Sequence, residues 1–168
     1  MIVFAGFLAS DFLREEAFRL QEILKERVSG SFPAKENCHV TLAYLGEVNE
    51  NRIGDILQIL YALPFPECEL TFDTLETFGS RHRDAVVFTS RCPESLMAYR
   101  SELHERLKEK GFKPDPAPFC PHITLVRAKQ AGNDLSGMEV RPVTMRPFGA
   151  VLFHSFQSGG RRVYLPLG

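Results

Sequence analysis

Long apolar stretches are missing from this 168-residue chain, and the runs it has are far too short to cross a bilayer. A surplus of charge is missing too: 20 Lys and Arg stand against 21 Asp and Glu, for a net charge of −1. That balance excludes a broad basic field for gripping long nucleic acid, though not a local basic patch. Cysteine is scarce. Cys38, Cys68, Cys92 and Cys120 are irregularly spaced and form no CxxC, which points to free thiols in a reducing compartment. Residues 1–10 lack the basic start and cleavage pattern of a secretory signal, so the expected location is the cytoplasm, with no membrane partner. No glycine-rich loop follows a candidate strand, so nucleoside-triphosphate chemistry gains no support. What remains, 44% hydrophobic and 24% charged, is the composition of one globular domain spanning residues 1–168.

Two tetrapeptides stand out against this plain background: His39-Val40-Thr41-Leu42 and His122-Ile123-Thr124-Leu125. In a strand, residues i and i+2 share a face. Each stretch should therefore present an imidazole beside a hydroxyl, with its apolar residues packed behind. A lone His in a strand is usually a packing residue. A matched pair carries more.

The rest of the chain alternates strands and helices. A strand is expected over Ile2–Ala9, then a helix to about Val28 capped by Ser10 or Asp11, with Leu13, Ala17, Leu20 and Leu24 at the 3.6-residue period. The first His-x-Thr strand follows from about Cys38 to Leu45. Asn49 opens a second helix with Ile53, Ile56, Leu57 and Leu60 on one face. Strands over 67–78 and 84–90 flank a basic turn, Arg81-His82-Arg83. Pro93 fits the first position of a third helix and Gly111 the position past its end. Leu96, Leu103 and Leu107 mark that helix's inner face, and His104 is expected on its solvated one. A proline-rich loop leads to the second motif, and up to three strands close the chain.

The two histidines are 83 positions apart. Without a gap, that offset lays Val3 on Val86, Leu13 on Leu96, Leu20 on Leu103, Leu24 on Leu107 and Pro33 on Pro116. A strand–helix–loop–strand unit therefore recurs, over about 2–45 and 85–128. Two such units related by an approximate twofold would set His39 and His122 facing each other. The expected fold is α+β and bilobal, with two antiparallel sheets lining a central cleft and helices outside.

Two imidazoles can divide acid–base work near neutrality, one taking a proton while the other gives one. Thr41 and Thr124 hydroxyls can donate to the oxygens of a phosphoryl group as charge develops. Arg127 could grip phosphate, but strand parity turns it away from His122 unless the strand ends or bulges. Zinc held by Cys38, His39, Cys120 and His122 is the rival reading. It is weakened because adjacent Cys38 and His39 should point to opposite faces, and neither pair has looped ligand spacing.

These motifs, with Leu45-Gly46-Glu47-Val48 after the first and Phe119-Cys120-Pro121 before the second, resemble the 2H phosphoesterase superfamily. The nearest branch is that of RNA 2′,3′-cyclic phosphodiesterases, also called 2′-5′ RNA ligases. The resemblance implies opening of a 2′,3′-cyclic phosphate to a 2′-phosphate, with no metal and no other cofactor. His39, His122, Thr41 and Thr124 would be catalytic, with Arg127 and Phe119 at the substrate. It also implies RNA 3′ ends or small cyclic nucleotides as partners, and a monomer with no protein partner. His122 is the expected base and His39 the expected acid; exchanging those roles describes ligation. A 2′-5′ phosphodiesterase or a non-catalytic RNA-end binder are the alternatives.

Overall fold

The computed structural model describes residues 1–79, 84–128 and 135–168. The basic turn Arg81–Arg83 lies outside the described residues. In chain order the elements are β1 (Ile2–Leu8), α1 (Asp11–Lys25), β2 (His39–Glu47), α2 (Ile53–Ala62), β3 (Leu70–Gly79), β4 (Asp84–Ser90), α3 (Glu94–Glu109), β5 (His122–Ala128), β6 (Val143–Met145), β7 (Val151–Ser158) and β8 (Arg161–Leu167). They form two four-stranded sheets, ordered β2-β1-β7-β8 and β5-β4-β3-β6, and the pairings within both are antiparallel. The expected α+β, two-sheet architecture is present.

Local chemistry explains the element ends. The Ser10 hydroxyl accepts from the Leu13 amide at 3.3 Å and starts α1, satisfying a donor that the first turn leaves unpaired. Pro93 is the residue just before α3 rather than its first member. Gly111 follows that helix with φ +87°, a conformation that suits glycine past a helix end. In α2, Ile56, Ile59 and Leu60 are buried; Ile59 takes the place expected for Leu57, which is only partly covered.

Helices α1 and α3 do not cover the sheets of the strands that precede them. Helix α1 follows β1 in sequence, yet it packs across the molecule on β5 and β6. Helix α3 follows β4 and packs on β2. Leu13, Leu20 and Leu24 of α1 and Leu96, Leu103 and Leu107 of α3 are fully buried. At about 1.5–3 kcal/mol for each buried leucine, these two stripes hold the lobes to one another.

The repeat holds in register from the helices to the motif strands and slips before them. Gly6 pairs with Thr41, and Val87 with Thr124. The counterpart of Val87 is therefore Gly6, two residues from where an ungapped alignment puts it. Gly6 is required by contact: a Cβ there would lie 2.2 Å from the Val40 carbonyl oxygen.

Candidate active site

Strands β2 and β5 are edges of their sheets and touch one another. Their facing residues line one cleft: His39, Thr41 and Tyr44 from β2 and His122, Thr124 and Arg127 from β5, with Phe4, Asn37, Ser155 and Tyr164 at its sides. Five of the six residues expected at the site are thus brought together. Phe119 is not. It is partly buried against the core, and the Arg100 guanidinium lies 5.6 Å from its ring centre.

Arg127 reaches the cleft because β5 bulges. In the β4–β5 ladder Val87 pairs with Thr124 and Val86 with Val126, which leaves Leu125 without a partner. One extra residue reverses the facing of everything after it. Both Leu125 and Val126 are buried, and Arg127 emerges beside His122 and Thr124. Strand β2 repeats the device. Ala5 pairs with Ala43 and Gly6 with Thr41, so Leu42 is the extra residue. Tyr44, 83 positions before Arg127, then emerges into the same cleft. Sequence reasoning missed Tyr44. The available signal was the adjacent apolar pair in each strand, Leu42-Ala43 and Leu125-Val126, which breaks strict alternation.

The Arg127 backbone is also held from outside. Ser31 and Arg127 exchange two backbone hydrogen bonds, of 2.8 and 2.9 Å. Gly30 lets the chain approach this closely, since a Cβ there would sit 2.5 Å from the Ala128 Cβ.

The histidines are fixed alike. Nδ1 of His39 donates to the Asn37 carbonyl and Nδ1 of His122 to the Cys120 carbonyl, each at 2.7 Å. A carbonyl only accepts, so each Nδ1 carries the proton and each Nε2 is free to take or give one. Nε2 of His39 lies 3.0 Å from the Thr41 hydroxyl oxygen. Aromatic rings pack the imidazoles: Phe4 and Tyr164 against His39, Phe78 edge-on against His122. Asn37 is a second residue that sequence reasoning missed. Its carbonyl orients His39, and its side-chain amide donates to the Arg162 carbonyl at 2.8 Å, tying the motif to β8.

Burial holds both imidazoles below their usual pKa, in each case opposed by the carbonyl accepting from Nδ1. Charge then separates them. His39 is lowered further by His122 and Arg127. His122 is lowered by Arg127 and raised by Glu76. Arg127 lowers both and the repulsion between two imidazoliums is mutual, so the charge that distinguishes them is Glu76, which favours the cation on His122.

The remaining polar residues correct one earlier expectation. His104 is not solvated: it is 5% exposed, and its Nε2 lies 3.1 Å from the Leu42 carbonyl oxygen. Burial lifts the Cys38 thiol to about 12, with Arg14 opposing, so on its own it stays a protonated thiol at neutral pH. Among the described residues no three His, Cys, Asp or Glu side chains are grouped to hold a metal ion.

Three comparisons bear on this geometry. The family profile described as LigT like phosphoesterase matches the chain twice, over residues 8–89 and 87–161. An RNA 2′,3′-cyclic phosphodiesterase of Archaeoglobus fulgidus is 29% identical over 162 residues, covering 94% of this chain and 89% of that protein. One from Thermotoga maritima is 31% identical over 130 residues, covering 73% and 69%. The crystal structure of Escherichia coli LigT with 3′-AMP superposes with a TM-score of 0.80 at 22% identity, over 99% of this chain and 95% of that one.

Proposed function

The chain belongs to the LigT-like phosphoesterase family, and from that premise we propose that it opens terminal 2′,3′-cyclic phosphates of RNA to 2′-phosphates. The observation that carries this reading is the matched pair of imidazoles, each locked at Nδ1 by a backbone carbonyl and each lining the same cleft as a threonine hydroxyl. Pure binding does not need two opposed proton carriers.

In this reading the cyclic phosphate sits between the two motifs, with Arg127 and the Thr124 hydroxyl on its non-bridging oxygens and the Thr41 hydroxyl turning from His39 Nε2 to join them. Neutral His39 takes a proton from water as the water oxygen bonds to phosphorus. The bond from phosphorus to the 3′ oxygen breaks, and His122 gives its proton to that oxygen. The product carries a 2′-phosphate and a free 3′-hydroxyl. This reading assigns the roles opposite to those expected from sequence, where His122 was the base, and it is supported by the Glu76 carboxylate acting on His122 alone. No metal or nucleotide cofactor takes part in these steps. Escherichia coli LigT, similar in fold, has been crystallised with phosphate and with 3′-AMP, ligands of the kind that this reading places in the cleft.

A second groove favours RNA over a free nucleotide. Arg161, Arg162, Gln157 and Phe32 line it together with Glu36, and it shares Arg127, Asn37, Pro33 and Tyr164 with the cleft. Two arginines beside Arg127 suit the backbone phosphates of the nucleotides that precede the terminal one.

The test uses a short RNA with a 2′,3′-cyclic phosphate end, in EDTA, with identification of the product end. Conversion to a 2′-phosphate, abolished in both His39→Ala and His122→Ala, is the expected result. A 3′-phosphate product, or activity surviving in either variant, would overturn the mechanism.

A further inference from the structure

Gln21 and His104 are buried polar residues, 6% and 5% exposed, on helices whose other inward residues are mostly apolar. Gln21 lies on α1 and His104 on α3, again 83 positions apart. Nε2 of Gln21 donates to the Leu125 carbonyl at 3.0 Å and to the Pro33 carbonyl at 3.0 Å. His104 makes its 3.1 Å contact with the Leu42 carbonyl; a carbonyl only accepts, so His104 Nε2 is the donor. Leu125 and Leu42 are the extra residues that precede Arg127 and Tyr44, and neither has a partner across its ladder. A buried carbonyl outside a ladder needs a donor from elsewhere. In each lobe that donor comes from the helix that crossed over from the other lobe.

We infer that Gln21 and His104 are a matched pair of positioning residues, each fixing the bulge through which the facing motif strand delivers its third side chain into the cleft. Gln21 sets Arg127, and His104 sets Tyr44. Without a held bulge a strand returns to plain alternation, and Arg127 or Tyr44 turns toward the core face while the His and Thr before it stay in place. The inference rests on the phosphodiesterase reading for its assay, though not for its geometry.

Coupling tests it. Gln21→Met keeps volume and removes both donors. It is expected to lower kcat/KM on 2′,3′-cyclic CMP about tenfold to a hundredfold, a loss that Arg127→Ala already contains. The double variant Gln21→Met/Arg127→Ala should then be no slower than Arg127→Ala. Multiplying losses, or wild-type activity in Gln21→Met, would overturn the assignment. The symmetry supplies a rescue: His104→Gln places on α3 the donor that α1 uses, and should retain most activity. His104→Leu should behave like Tyr44→Ala, and equal activity in the Leu and Gln variants would count against the role. If Gln21→Met fails to fold, the His104 series carries the test alone. If wild-type protein opens no cyclic phosphate, the phosphodiesterase reading fails. The same cycle is then run on the Kd of inorganic phosphate, where non-additivity of Gln21→Met with Arg127→Ala still upholds the positioning role and additivity still overturns it.

Discussion

Gly6→Ala is a one-methyl perturbation whose effect can be worked from distances. The new Cβ would stand 2.2 Å from the Val40 carbonyl oxygen and 3.2 Å from the Thr41 Cα. Ordinary contacts of this kind begin at 3.4 Å, so β2 must retreat from β1 by about 1 Å. Overpacking of this order costs about 1–3 kcal/mol of stability. The part that retreats carries His39 and Thr41, and a displacement of about 1 Å in a reacting group can cost on the order of 100-fold in rate. Gly54→Ala is the internal control. It lies in α2 with nothing within 4 Å of its Cβ position, so alanine there should raise stability by about 0.5 kcal/mol and leave turnover alone. Urea denaturation gives both stabilities, and kcat/KM on 2′,3′-cyclic CMP gives the rates. A Gly6→Ala protein with the wild-type urea midpoint and activity within threefold would refute the claim that this contact sets the cleft.

Two further outcomes follow from the charges. Burial, aided by Arg127, holds both imidazoles below the usual 6.5. Activity should rise as His39 loses its proton and fall as His122 loses its own, so kcat/KM should peak on the acid side of pH 6.5. The kcat profile should peak at higher pH, because bound phosphodiester stabilises the imidazolium. NMR titration of the free protein should find His122 protonated to higher pH than His39; the opposite order would undo the proton assignment. At the second groove, Arg161→Glu should weaken kcat/KM on a five-nucleotide RNA about tenfold and reduce its salt dependence, while 2′,3′-cyclic CMP is turned over as before. Equal losses on both substrates would remove RNA from that groove.

The chemistry of the site was legible because His and Thr recur at i and i+2 in two places, and the repeat was legible because helix periods repeat at the same offset. The bulges were not. Thr41-Leu42-Ala43-Tyr44 reads equally well as a strand running into the core, and only pairing shows that Leu42 has no partner. Strict alternation turns Arg127 and Tyr44 away from the cleft, and only the bulges bring them into it. His104 was read as solvated from its charged neighbours, but burial there is set by the β2 carbonyl that it meets across the molecule. That contact depends on which sheet α3 covers. No periodicity along α3 records the answer.

The crossed helices bear on how such a chain came to exist and how it comes apart. Residues 2–45 alone would leave α1 without β5 and β6 beneath it, and residues 85–128 alone would leave α3 without β2. Two copies of a half could satisfy one another only by exchanging helices around a twofold, as in a swapped homodimer. This polypeptide supplies both partners of such an exchange in one chain, and the proposed catalytic cleft lies where β2 meets β5. A cut between the halves is therefore expected not to release two small folded proteins. Hydrogen exchange should show the amides of β2 and β5 opening together, in one cooperative event.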